Sequence, residues 1–223
     1  HNANQDKNLK YPVKLWYKRS ISKYATNLFA CGEDAGDWMF NGAPYQIVNN
    51  AIDAVAYAYD PAKRIEMRQK LGLRDELVVG HVGRFNPQKN HLFLLDIFAV
   101  LLKKEPNAAL LLIGGGEDMP KIQAKAQTLG IEEHVRFLGI RSDVADLMQA
   151  MDVFVFPSLY EGLPVTMVEA QAAGLPCLIS DKVPSECILT NGLVDVLPLS
   201  AEPETWAAKI LEKRNLPRSD RRS

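Results

Sequence analysis

Short, nearly continuous apolar runs that end in turns constrain this chain more than any other feature of its sequence. They are "ELVVGHVG" (Glu76–Gly83), "AALLLIGGGE" (Ala108–Glu117), "HVRFLG" (His134–Gly139), "DVFVFPS" (Asp152–Ser158) and "PCLIS" (Pro176–Ser180). A strand with one wet face would alternate apolar and polar residues; these runs read as strands buried on both faces. Between them lie helical segments. "KNHLFLLDIFAVLLKKE" (Lys89–Glu105) closes in lysines, which suit a helix C-terminus, and "DMPKIQAKAQTLG" (Asp118–Gly130) has its glycine just past the end. "SDVADLMQAM" (Ser142–Met151) offers Ser142 as an N-cap. Buried strands alternating with helices predict an α/β, Rossmann-like, doubly wound parallel sheet with helices on both faces. Ligands of such sheets bind beyond the carboxyl ends of the strands, near a topological switch point, so the residues after each strand carry the functional reading.

Composition narrows the class. Hydrophobic residues make up 47% and charged residues 24%, as in an ordinary globular protein. A formal net charge of −1 gives no sign of nucleic acid or a membrane surface as partner, and no apolar run reaches membrane-spanning length. Cys31, Cys177 and Cys187 have no metal-ligand spacing and read as reduced thiols of a cytoplasmic protein. The opening "HNANQDKNLK" and the basic closing stretch read as cut or frayed ends of a fragment. The expected organisation is residues 1–44 as the tail of a preceding domain plus linker, 45–212 as the Rossmann-like domain, and 213–223 as a solvated basic tail.

Each turn then has a bland and a functional reading. "GRFNPQKN" sets Gly83, Arg84 and Lys89 beside a helix start, where two cations and backbone N–H groups make an anion site; the alternative is a solvated basic turn. "GGGEDM", from Gly114, lets backbone approach a ligand, or is only a tight turn; it is neither a Walker loop nor a dinucleotide fingerprint. Gly139 and Ile140 end a strand where backbone groups can meet the edge of a base, and Arg141 reads as structural or ligand-facing. "LYEGLPVTMVE" places Glu161 in a loop, Gly162 and Leu163 with N–H groups to offer, Pro164 at the first helical turn, and Glu169 in the second turn. Helix-dipole charge accounts for Glu161. It accounts poorly for Glu169, which lies in an apolar stretch expected to pack on the sheet and so needs a partner, such as the vicinal hydroxyls of a ribose.

Together "GRFNPQKN", "LLLIGGGE", "VRFLGIRSDV" and "DVFVFPSLYEGLPVTMVEAQAAGLPCLISD" resemble the C-terminal, donor-binding half of a family 4 retaining glycosyltransferase of GT-B fold, over roughly Tyr45–Asp181. The resemblance implies a nucleotide-diphosphate-sugar donor, most simply a UDP-sugar, and no tightly bound cofactor. It implies that Arg84 and Lys89 bind the diphosphate, Glu161 the donor sugar and Glu169 the ribose. Gly139 and Ile140 would meet the base, while Gly83, Gly114, Gly162, Leu163, Pro164 and Val165 would line the donor. It implies a transfer that needs no metal, consistent with the absence of an Asp-x-Asp motif. Retention would come from same-face attack, with the leaving phosphate taking the acceptor proton, so Glu161 and Glu169 are not a hydrolytic acid/base pair. A saccharide or lipid-linked acceptor in surface polysaccharide assembly would be held by a missing N-terminal domain, of whose cleft His1 is the expected remnant. Any peripheral membrane association would belong to the full-length protein.

Two other functions share these residues: a nucleotide-sugar binding module without transfer activity, and a GT-B-fold sugar-nucleotide epimerase. Elsewhere the readings are structural. His81 is expected to be a core histidine with one hydrogen-bond partner, Cys177 a small core residue, and Trp16, Trp38 and Trp206 packing anchors.

Overall fold

The computed structural model describes residues 11–48, 50–214 and 216. His1 and the stretch 217–223 lie outside the described residues. The chain opens with α1 (Tyr11–Tyr24), β1 (Phe29–Ala30), α2 (Glu33–Phe40) and β2 (Gln46–Ile47), and β1 and β2 form a two-stranded parallel sheet of their own. After α3 (Ala54–Tyr57) and α4 (Pro61–Lys70) the repeating part begins. It consists of β3 (Leu77–Val82), α5 (His91–Lys104), β4 (Ala108–Ile113), α6 (Met119–Thr128), β5 (Val135–Gly139), α7 (Val144–Ala150), β6 (Val153–Phe156), α8 (Val165–Ala172), β7 (Cys177–Ser180), β8 (Val194–Leu197) and α9 (Pro203–Lys213).

The six strands β3–β8 form one parallel sheet in the order β5-β4-β3-β6-β7-β8. Alternate residues of the central strands feed two cores. Val79, Leu110, Leu112, Val153, Val155 and Leu178 pack with α5, α6 and α9, around Leu94, Phe98, Ile122 and Trp206. Val78, Leu111, Phe154, Phe156 and Ile179 pack with α4, α7 and α8, around Met67, Leu147 and Met167. The unbroken apolar runs of β3, β4, β6 and β7 are thus explained, every residue of each being buried; "HVRFLG" departs from that expectation, because β5 is an edge strand in which only Val135 is buried. The strand order reverses between β3 and β6, where the chain leaves one half of the sheet for the other. A crevice opens at the carboxyl ends of these two strands.

The β3–β6 contact is short, with Val79 opposite Val153 and Gly80 opposite Phe154. Asp152 extends it. Its carboxylate accepts the Val78 N–H at 2.8 Å and pairs with Arg64 and Arg68 of α4, while its N–H donates to the Val78 carbonyl at 2.8 Å. Arg68 is buried and also donates to the carbonyls of Arg74, Glu76 and Ala150, pinning α4 across the starts of both strands.

Several local expectations are corrected. α7 begins at Val144 with Asp143, not Ser142, in the N-cap position, and Asp143 makes no side-chain cap because both its oxygens accept from Arg141, at 2.8 and 2.6 Å. Pro164 stands one residue before α8, and its carbonyl accepts the Met167 N–H at 3.0 Å. Lys213 does not start a solvated tail: it ends α9, buried, at 3.0 Å from Asp195. Trp206 is fully buried, but Trp16 on α1 is 64% exposed and meets the ring of Tyr17 edge-on at 5.2 Å. Among the described residues no helix is long and apolar enough to cross a membrane, and no group of three or more His, Cys, Asp or Glu is placed to hold a metal ion.

His81 of β3 is fully buried, with Nδ1 donating to the Val155 carbonyl at 2.9 Å and Nε2 without a partner among the described residues. His91, at the start of α5, packs edge-on to it at 4.6 Å and to Phe85 at 4.5 Å, and neither of its ring nitrogens has a partner among the described residues. Burial, and then the nearby Lys89 charge, push His91 down to about 4; burial, and then His91, push His81 well below the usual histidine range.

Two predictions follow from these contacts. Asp152→Ala should cost about 2–3 kcal/mol in urea unfolding, because it strips the partner from two poorly solvated guanidinium groups. Stability should fall as pH drops from about 6.5 to about 4. In that window the unfolded chain takes up a proton at His91 that the folded chain refuses. The loss is on the order of 3 kcal/mol, and His91→Phe should flatten the slope measured by unfolding at several pH values.

Candidate nucleotide-sugar site at the switch point

The turn after β3 runs through Gly83 and Arg84 into a 3₁₀ turn at Pro87–Lys89, capped by the Asn86 side chain on the Lys89 N–H at 3.3 Å. The loop after β6 runs from Pro157 to Glu161. Backbone and side-chain bonds join the two: Leu159 N–H to the Gln88 carbonyl at 2.8 Å, and Asn90 Nδ2 to the Pro157 carbonyl at 3.1 Å. Lys89 Nζ then reaches Glu161 Oε1 at 2.7 Å, with the two side chains only 15% and 6% exposed. Gln88 Nε2 holds the other oxygen, Oε2, at 3.1 Å and the Tyr160 carbonyl at 2.9 Å. The Lys89 ammonium also lies 4.5 Å from the centre of the Phe156 ring. A poorly solvated ion pair with a third hydrogen bond and an aromatic face beneath it is thus fixed at the crevice.

Both carboxylates are partly buried and already held within the chain. Glu161, read as a loop carboxylate explained by helix charge, is the more heavily bonded one. Glu169, expected to be buried, is partly buried on α8 and has a partner in the chain: Tyr57 Oη donates to its Oε1 at 2.7 Å. The two cations also diverge. Lys89 turns inward to Glu161, while Arg84 is 71% exposed and lies 3.6 Å from Glu117.

Two cavities of about 550 Å³ each open in this region, and Glu161 lines one of them. Gly83, Arg84, Gly114 and Ile140 line the first, at the ends of β3, β4 and β5. Gly114 is demanded by packing as well: at φ +139°, a Cβ there would stand 2.0 Å from the Gly83 carbonyl oxygen. Gly139 takes φ +69° with open space beside it, and Ile140 is 87% exposed, an apolar side chain offered to the cavity. Arg141 is held by Asp143, which favours its structural reading. Glu161, Gly162 and Leu163 line the second cavity, whose far wall is Phe29, Trp38 and Phe40 from the N-terminal segment. Pro164, Val165 and Glu169 line neither cavity. Sequence reasoning missed Gln88 and Tyr57. Gln88 sits inside the basic turn that was singled out, but the only sequence signal is its place beside Lys89. Tyr57 carries no motif at all.

Comparison with known proteins bears on this geometry. EpsF of Bacillus subtilis (strain 168) is 40% identical over 202 residues, covering 88% of this chain and 53% of EpsF. The UDP-Gal:alpha-D-GlcNAc-diphosphoundecaprenol alpha-1,3-galactosyltransferase of Escherichia coli is 34% identical over 151 residues, covering 65% of this chain and 38% of that enzyme. The crystal structure of WaaG, a glycosyltransferase involved in lipopolysaccharide biosynthesis, superposes with a TM-score of 0.81 at 23% identity, covering 93% of this chain and 59% of WaaG. The chain therefore spans about half the length of the relatives it matches. Its fold is shared with GT-B glycosyltransferases. The family described as "Glycosyl transferases group 1" matches residues 63–221, and the chain belongs to that family.

Proposed function

We propose that this chain is the donor-binding part of a family 4, retaining glycosyltransferase that moves a sugar from a nucleoside-diphosphate donor, a UDP-sugar, to a saccharide or lipid-linked acceptor in surface polysaccharide assembly. The observation that carries the reading is the Lys89–Glu161 pair at the point where the strand order reverses, with Glu161 lining one cavity and Gly83 and Arg84 of the same turn as Lys89 lining the other. The Escherichia coli relative, a UDP-Gal-dependent galactosyltransferase, supports the choice of UDP.

On this reading the base meets Gly139 and Ile140, and the diphosphate lies against Gly83 and Gly114 with Arg84 folding over it from solvent. Lys89 sits at the boundary between diphosphate and sugar. Cleavage of the anomeric C–O bond leaves an oxocarbenium-like sugar and a nucleoside diphosphate, and Arg84 and Lys89 stabilise the charge that develops on the leaving group. Glu161 accepts from sugar hydroxyls, Gly162, Leu163, Pro164 and Val165 border the sugar and phosphate, and Glu169 takes the ribose. The leaving phosphate receives the acceptor proton, so neither glutamate serves as the acid or base. We also propose that transfer needs no metal, that the acceptor is bound by a preceding domain, and that the protein works in the cytoplasm, with membrane association peripheral and confined to the full-length form. Because the chain spans about half of its relatives, a second reading applies to the chain by itself: it binds the donor and transfers nothing.

Titration calorimetry with UDP, GDP and ADP should show one preferred nucleotide. Arg84→Ala should weaken it about tenfold through a lost charge-assisted contact, and Glu169→Ala by a similar factor. If no nucleotide binds the chain or a longer form containing it, the donor reading is wrong. Glu161→Gln should separate the two glutamates, leaving UDP affinity within about twofold while cutting sugar transfer by the full-length protein about a hundredfold.

A further inference from the structure

Glu169 is held from a segment that precedes the repeating α/β units. Tyr57 is the last residue of α3, and its hydroxyl donates to Glu169 Oε1 at 2.7 Å across 112 residues of chain. The backbone that carries the ring is held at both ends of its helix. Asp53 caps α3 by accepting the Val55 and Ala56 N–H groups at 3.1 and 3.2 Å. At the other end the Tyr57 carbonyl accepts from Gln149 of α7, a buried side chain, at 3.1 Å. Burial, and then the bond to Glu169, push the Tyr57 phenol up, so it stays protonated and donates throughout the neutral range.

A carboxylate offers about four lone-pair sites, and Tyr57 occupies one. A glutamate side chain otherwise pays rotamer entropy when it binds a ligand, and a fixed hydrogen bond removes part of that cost in advance. The sites left over suit two adjacent donors, which is what a vicinal diol supplies. We propose that Tyr57 is a positioning residue: its hydroxyl orients the Glu169 carboxylate so that the remaining lone pairs receive both vicinal hydroxyls of the donor nucleotide's ribose. This inference rests on the reading of Glu169 as the ribose carboxylate. It makes discrimination between ribose and 2′-deoxyribose depend on a single hydroxyl outside the family's motif region.

The test is Tyr57→Phe, which removes only the hydroxyl, titrated calorimetrically with UDP and with 2′-deoxy-UDP beside Glu169→Gln, with thermal unfolding confirming that each variant is folded. Tyr57→Phe should weaken UDP about fivefold to tenfold and 2′-deoxy-UDP less, so that the preference for ribose shrinks. No change, or equal weakening of both nucleotides, overturns the positioning role and leaves the bond as a docking contact of α3. Tighter UDP binding also overturns it, because Tyr57 would then be competing with the ribose. If Glu169→Gln binds both nucleotides as the parent does, the ribose role of Glu169 fails and the Tyr57 proposal with it; if neither the chain nor a longer form containing it binds UDP, GDP or ADP, the donor reading itself fails whatever Tyr57 does.

Discussion

The contact between β3 and β6 is the constraint on which the site depends. It is two residue pairs long, against six between β3 and β4, and is completed by a side chain: Asp152 takes the place of a strand residue at the Val78 N–H. The Arg64 and Arg68 guanidinium groups make that carboxylate tolerable where solvent is scarce. The short ladder brings the turn at Gly83–Lys89 and the loop at Pro157–Glu161 side by side. Every inter-loop bond of the site, from Gln88 to Glu161, follows from that juxtaposition.

Within this frame the Lys89–Glu161 pair sets the electrostatics. Removing two charges from water costs several kcal/mol per ion, offset here by a 2.7 Å contact, the Gln88 amide and the Phe156 ring. Burial keeps His91 neutral, and the same ammonium adds to the effect. On the proposed reading a phosphate that draws Lys89 away leaves Glu161 in need of a new donor, and a sugar hydroxyl is one. Phosphate and sugar would then bind as a unit, since each relieves the vacancy the other creates.

The architecture was legible in the sequence because parallel strands buried on both faces write themselves as apolar runs, as in "AALLLI" and "VFVF". The position of the turns was legible too: Arg84, Lys89 and Glu161 stand after the carboxyl ends of β3 and β6. Their pairing was not, since it depends on which strands become neighbours after the crossover. Tyr57 and Gln88 were missed for the same reason, their roles being defined by distant residues rather than by spacing. Ser142 and Lys213 failed locally. A neighbouring Arg141–Asp143 pair moved the helix start, and Asp195 drew a basic residue into the fold.

Sequence separation at the crevice also shapes how the chain comes off the ribosome. Lys89 and Glu161 stand 72 residues apart, and the chain leaving β5 must cross β4 and β3 before β6 can pair with the far edge of β3. A nascent chain extended through β5 can assemble β3, β4 and β5 by local neighbours, but it presents β3 as a bare, apolar sheet edge. The arrival of β6 covers that edge and delivers Glu161 to Lys89 in the same movement. Protection against edge-to-edge association and completion of the site are therefore one event in the life of the chain.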